Sequence, residues 1–152
     1  MSNRVKSRRS VLILSAFEGT IISFKGPLIE DLVKKKYSVY ILAPDFSLQT
    51  KVSLIKMGAR PVDIRLSRDS FNIFQDLIDL FRLVILICKI KPDIFLAYYI
   101  KPVIWGGIAA FVARVPKRIV MIEGLGHIFT ATNTKESFKS IIIRQLVSFL
   151  YR

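Results

Sequence analysis

The chain has 152 residues, 52% of them hydrophobic, with 24 Lys and Arg against 11 Asp and Glu, a net charge of +13. That length and apolar content fit one folded domain and exclude a disordered chain. The charge calls for an anionic partner: nucleic acid, a phosphorylated substrate or an acidic membrane face. One Cys and one His exclude a zinc site built from this chain alone. A membrane-spanning helix needs about 20 almost uncharged apolar residues. The best stretch, Phe71–Ile90, carries Asp76, Asp79, Arg82 and Lys89 and is read as non-spanning. The residues before the first strand hold no apolar core of the signal-peptide kind, so no secretion is expected.

Residues 1–9 form a basic tail with Arg4, Lys6, Arg8 and Arg9, read either as a frayed, solvated end or as a membrane-surface contact. Ser10–Ala16 predicts the first buried strand. The turn Phe17-Glu18-Gly19-Thr20 and a helix over about Phe24–Lys36 follow. A dinucleotide fold carries GxGxxG here; only Gly19 and Gly26 are present, so the motif is absent. The loop fits a close approach to phosphate or sugar at Gly19, or a plain strand-to-helix turn. Lys34-Lys35-Lys36 closes the helix as its dipole favours, and reads as a solvated end first and a lipid contact second.

Ser38–Ala43 is the second predicted strand, Leu48–Met57 a short helix stopped by Gly58, and Pro61–Leu66 the third strand. The longest helix is expected over Phe71–Lys91. Phe74, Leu77, Ile78, Phe81, Val84, Ile85 and Cys88 recur at spacings of three and four, with Gln75, Asp76, Asp79, Arg82 and Lys89 opposite. That pattern predicts the apolar row against a sheet, with Cys88 a core thiol.

Asp93–Tyr99 is the next strand, and Pro102 opens a helix whose Gly106, Gly107, Ala109, Ala110 and Ala113 allow close packing. Val115-Pro116 ends it, and Arg118–Ile122 reads as a second buried strand. Strand, helix and strand make a βαβ unit with a right-handed crossover. The whole order predicts an α/β fold: a doubly wound parallel sheet, Rossmann-like, over residues 10–152. Ligands of such sheets sit beyond the C-terminal strand ends. Here those ends are Tyr98-Tyr99-Ile100-Lys101 and Glu123-Gly124-Leu125-Gly126-His127. Tyr98 and Tyr99, as strand neighbours, are expected to point to opposite faces. Glu136–Arg152 reads as a helix with an apolar arc wide enough to need cover on two sides.

Four blocks together carry a family resemblance: ISFKGPLIEDL, YSVYILAPD, KIKPDIFLAYYIKPVIWGGIAA and VPKRIVMIEGLGHIFT. In order and spacing the chain resembles the N-terminal half of family 4 glycosyltransferases, closest to bacterial enzymes that extend lipid-linked O-antigen, capsule or glycoprotein oligosaccharides. The resemblance implies a GT-B fold of two Rossmann-like domains facing a cleft, with this domain holding the acceptor. It implies retaining transfer without a metal or resident cofactor. The nucleotide-sugar co-substrate would be held by a C-terminal domain that these residues do not supply, and the chain is expected to be inactive alone. The implied partners are a saccharide acceptor on a polyprenyl diphosphate, an anionic membrane surface and a separate donor-binding chain. No nucleic acid is expected, since the basic residues are scattered without a binding motif. The implied location is cytoplasmic, peripheral on the inner face of the cytoplasmic membrane.

The resemblance sets Glu18, Gly19, Thr20 and Lys25 on the cleft loop, with Lys where family members commonly have Arg. Tyr99 and Lys101 fall at the strand end facing the cleft. Glu123 stands where many members carry a histidine near the transferred sugar. It fits an acceptor ligand or base, or a cap on the Gly124–Gly126 backbone. His127 occupies a position that is often aromatic, and fits a phosphate partner or a satisfied loop histidine. Two other readings stay open: a non-catalytic membrane-recruiting subunit of a split two-chain transferase, and an unrelated Rossmann nucleotide-binding domain.

Overall fold

The computed structural model describes residues 8–66 and 73–121, together with Gln145, Phe149 and Tyr151. Five strands form one sheet: β1 (Ser10–Leu14), β2 (Ser38–Ala43), β3 (Arg60–Asp63), β4 (Ile94–Tyr98) and β5 (Lys117–Met121). Their order is β3-β2-β1-β4-β5, and every pairing is parallel. The expected doubly wound α/β layer is therefore present.

The central strands are apolar on both faces, as strands covered from both sides must be. Val11 and Ile13 of β1, Val39 and Ile41 of β2, and Leu96 and Tyr98 of β4 pack on one face. Helices α1 (Gly26–Lys34) and α2 (Leu48–Lys56) cover that face through Ile29 and Leu54. Leu12, Leu14, Leu42, Phe95 and Ala97 pack on the other. Helices α3 (Ile73–Ile90) and α4 (Gly107–Val112) cover it through Leu83, Ile87, Ala109 and Ala110.

The edge strands differ from expectation: β3 is shorter than Pro61–Leu66 predicted, and β5 is less buried than expected. β3 stops at Asp63 and is half-exposed, as is β5. Both are margins of the sheet, where Pro61 loses no ladder bond that matters and Arg60, Asp63, Lys117 and Arg118 deter further pairing. The helix after β1 also starts later than periodicity suggests. A 3₁₀ turn, Glu18–Thr20, and a π turn, Ile21–Lys25, come first. A second π turn, Pro102–Gly106, precedes α4. Lys34 and Lys35 pair with Glu30 and Asp31 one turn back in α1, as a solvated helix end does.

The largest correction concerns α3. Of the row expected on the sheet, only Val84 packs there; Phe74, Leu77, Ile78, Phe81, Ile85 and Cys88 are all exposed. The sheet side holds Leu83 and Ile87 and, one turn apart, Asp76 and Asp79, which are 6% and 3% exposed. Asp76 finds its partner across the fold, and Asp79 finds its partners on α3 itself. Lys101 donates to Asp76 at 3.2 Å, and Gln75 donates to Asp79 at 3.0 Å, with Arg82 at 3.5 Å. A buried carboxylate is tolerated when so matched. The expected C-terminal helix over Glu136–Arg152 lies outside the described residues except at Gln145, Phe149 and Tyr151. Tyr151 donates to the Val103 carbonyl at 2.9 Å, and burial pushes its phenol well above the usual tyrosine range.

At the opposite end of the sheet, Asp93 ties β4 to β1. Its carboxylate accepts from the Ser10 backbone N–H at 2.7 Å and from Ser10 Oγ at 3.0 Å. The Ser10 backbone bond holds the Asp93 carboxyl below its ordinary value. A lowered folded value gives stability that is present above the unfolded carboxylate range and lost as pH falls through the folded one. Asp93 is solvent-exposed, so screening keeps the effect small, and Asp93→Asn is expected to cost only about half a kcal/mol at neutral pH. Urea melts should show the gap to wild type closing as pH drops below the usual aspartate range.

Candidate functional site

Strand order reverses direction between β1 and β4, since the chain winds from β1 toward β2 and β3 and later from β4 toward β5. In open α/β sheets the crevice outside the carboxyl ends of two such strands takes the ligand. Each of these strands leads into a π turn, at Ile21–Lys25 and Pro102–Gly106. Such turns carry an extra residue per bond and recur at functional sites.

Tyr99 is the residue that shapes the crevice. It follows β4 with a φ of 70°, a left-handed conformation that costs a non-glycine residue about 1 kcal/mol. That turn cancels strand alternation. Tyr98 and Tyr99 do not point to opposite faces; their rings lie 5.1 Å apart and both pack with the β1–β2 face cluster. Tyr99 thereby brings its hydroxyl to 3.0 Å from Thr20 Oγ1, bridging the loops after β4 and β1.

Lys25 lies behind this bridge. It is 5% exposed, with its ammonium 4.9 Å from the Tyr98 ring centroid and donating toward Met121 Sδ at 3.0 Å. The ring face favours the cation electrostatically. A buried positive charge therefore sits at the carboxyl ends of β4 and β5.

Other expected site residues are drawn aside by structural partners. Glu18 accepts from the Ser47 backbone N–H at 3.1 Å and from Ser47 Oγ at 3.2 Å. Ser47 itself caps α2 by accepting from the Thr50 N–H at 3.2 Å. The carboxylate thus fixes the 3₁₀ turn to a helix start that favours negative charge. Gly19 lies beneath the Phe17 ring, which a Cβ would meet at 2.6 Å. Lys101 directs its ammonium to Asp76 on α3. Glu123, Gly124, Gly126 and His127 lie outside the described residues. The structure therefore joins Thr20 to Tyr99 and sets Lys25 against the neighbouring Tyr98 ring, while Glu18 and Lys101 are drawn to Ser47 and Asp76.

Tyr98, Met121 and Asp76 are the neighbours that sequence reading did not assign. Adjacency of β4 and β5 would have suggested Met121, but no local signal marks Asp76 as buried. A separate groove of about 370 Å³ between the end of β3 and α3, lined by Asp63, Arg65, Asp79 and Arg82, shares none of the crevice residues. Among the described residues no group of His, Cys, Asp and Glu has the arrangement of a metal site.

The family model for "Glycosyl transferase 4-like" proteins matches residues 11–152, nearly the whole chain. The chain belongs to the glycosyl transferase 4-like family. Among its curated relatives is the N,N'-diacetylbacillosaminyl-diphospho-undecaprenol alpha-1,3-N-acetylgalactosaminyltransferase of Campylobacter jejuni. The two are 27% identical over 139 residues, covering 91% of this chain and 35% of the relative. The family member described here thus spans about a third of that protein's length.

Solved structures agree in fold. MurG of Acinetobacter baumannii superposes with a TM-score of 0.60 at 16% identity, covering 91% of this chain and 38% of MurG. The UDP-GlcNAc 2-epimerase of Neisseria meningitidis superposes with a TM-score of 0.61 at 17% identity, covering 93% and 39%. At these identities the likeness concerns the Rossmann-like layer that a glycosyl transferase 4-like chain shares with sugar-nucleotide epimerases.

Proposed function

We propose that this domain binds the acceptor of a retaining glycosyltransferase, a saccharide carried on a polyprenyl diphosphate, in the crevice between β1 and β4. The observation that carries the reading is the Thr20–Tyr99 bridge at the crevice mouth with the buried Lys25 ammonium behind it. A tyrosine ring offers an apolar face to a sugar ring, and two hydroxyls offer both donors and acceptors to sugar hydroxyls. The family membership supports transferase chemistry, and the Campylobacter relative is named for an acceptor on diphospho-undecaprenol.

In this reading the residues orient the acceptor hydroxyl, and Glu123 is its hydrogen-bond partner or base. Gly124, Gly126 and His127 are read with it as acceptor-binding residues. A second Rossmann-like layer, in the same polypeptide or in a separate chain, holds the nucleotide-sugar. Closure of the two layers excludes water, which transfer from an activated sugar requires. The domain works at the inner face of the cytoplasmic membrane, where its net positive charge is attracted to anionic lipid.

The test is a calorimetric titration of the full chain with a water-soluble, short-prenyl diphosphate-linked saccharide. Saturable binding is expected, and no saturable binding of nucleotide-sugar. Thr20→Val, which keeps shape and removes the bridge, should weaken binding up to about tenfold, the worth of one hydrogen bond. Tyr99→Ala, which also removes the ring, should weaken it further. Wild-type affinity in both variants, or binding of the nucleotide-sugar alone, contradicts the proposal.

A further inference from the structure

We propose that the amino-terminal end of the sheet, opposite the crevice, is a docking surface for an acidic segment of another protein. Cations scattered in the sequence are collected there by the topology, because in a parallel sheet every return from helix to strand falls at that end. The row β3-β2-β1-β4-β5 is entered through Arg60, Lys36, Arg9, Lys91 and Lys117 in turn, each at its strand's first residue or within three before it. Arg114 adds a sixth cation just before β5, and all six are exposed. With neighbouring strands about 4.8 Å apart, the five entries form a row about 19 Å long.

Internal pairing does not account for this charge. Among the described residues Lys36, Lys91, Arg114 and Lys117 join no ion pair, whereas at the crevice end Lys51 and Lys101 are matched by Asp63 and Asp76. Acids near the basic row are already engaged: Glu30 and Asp31 by Lys34 and Lys35, and Asp93 by Ser10.

The backbone supplies a second observation. Lys36, Lys91 and Arg114 follow the ends of α1, α3 and α4 by one or two residues, with φ of 67°, 50° and 55°. Glycine is the favoured residue at that left-handed place after a helix, as Gly58 is after α2 with φ of 87°. Any other residue is strained there. Attraction to the helix dipole repays no more than the strain costs. Stability therefore gives no reason for Lys or Arg over glycine at three helix ends on one side of the sheet.

Chemistry selects a polypeptide as the occupant. Four helix C-termini set carbonyl oxygens, which accept hydrogen bonds, among the cations. An extended acidic peptide brings carboxylates to the cations and backbone N–H donors to the carbonyls. A polynucleotide backbone brings acceptors, and its bases call for aromatic platforms. Among the described residues no exposed aromatic lies at a strand entry. A second copy is repelled, since each chain carries +13. A partner held at this end leaves the crevice open, and the proposal stands apart from the acceptor reading.

The test is fluorescence anisotropy with the full chain and a labelled peptide of alternating Glu and Ser, about eight residues long and so able to cross the row when extended. Saturable binding that weakens as salt rises is expected, tighter than that of an oligothymidylate of equal charge. Lys36→Gly with Lys91→Gly and Arg114→Gly should weaken peptide binding about thirtyfold at low salt. The same variant should melt higher, by about 3 °C per position, because glycine relieves the strain. No peptide binding by wild type, or equal binding by wild type and the glycine variant, overturns the proposal. A lowered melting temperature also overturns it, by assigning the cations to ending their helices. Equal or tighter binding of the oligothymidylate assigns the face to nucleic acid, and binding to phosphatidylglycerol vesicles that the glycine variant loses in place of peptide binding assigns it to lipid; either result overturns the proposal.

Discussion

Lys101→Ala should destabilise the domain by about 3 kcal/mol, read as a lowered urea midpoint with an unchanged slope. Lys101 and Asp76 are 15% and 6% exposed at the side chain and 3.2 Å apart. Removing the cation leaves a carboxylate buried beside β4 with its compensating charge gone. Most of the cost is that stranded charge, so a second change that removes it should recover much of the loss. Lys101→Met combined with Asp76→Asn is expected to lie well above Lys101→Ala in stability, a non-additive pair of the kind expected for groups in contact. The pair also decides which side of α3 faces the sheet. Lys101→Ala should therefore increase hydrogen exchange over the first turns of α3 before it affects β1 or β2. Equal stability of wild type and Lys101→Ala would show that the pair does not hold α3 in place.

Gly106→Val should cost about 3 kcal/mol, at the upper end of what overpacking does. Gly106 closes the π turn after β4, and a Cβ there would overlap Leu14 Cδ2 and approach Phe95 Cζ to 2.8 Å. Both neighbours are fully buried in the central strands and have nowhere to go. The next residue faces the other way: a Cβ on Gly107 would meet the Tyr151 ring at 2.9 Å. Two successive glycines thus let the start of α4 fit between the sheet and Tyr151. Gly26→Ala is the matched control, since its Cβ would meet only Met57 Cε, at 3.4 Å. It should leave the melting temperature nearly unchanged. A Gly106→Val protein as stable as the Gly26→Ala control would refute the close approach.

The sheet was readable because its central strands are unbroken apolar runs bounded by turns. Ser10–Leu14, Ser38–Ala43 and Ile94–Tyr98 leave no other assignment at that length. The orientation of α3 was not readable. Leu80, Leu83, Leu86, Ile87 and Ile90 give it a second apolar row, so spacing alone offers two sheet-facing sides. What chooses between them is a contact from Lys101 to Asp76 across 25 positions. Cys88 followed the same error. At the site, Tyr99 and Lys101 were nameable because a parallel strand ends there, and Thr20 and Lys25 only through the family resemblance. The Thr20–Tyr99 bridge was not, since it depends on one left-handed residue that breaks alternation at Tyr99. The π turns escaped notice for a related reason: a helix period of 3.6 does not register one extra residue.

Amide chemical shifts recorded while the full chain is titrated with the short-prenyl diphosphate-linked saccharide test the crevice most directly. Saturable shifts should concentrate at Glu18–Lys25 and Tyr98–Gly106, across the carboxyl ends of β1 and β4. Shifts confined to the opposite end of the sheet, around Ser10, Asp93 and Lys117, would contradict it.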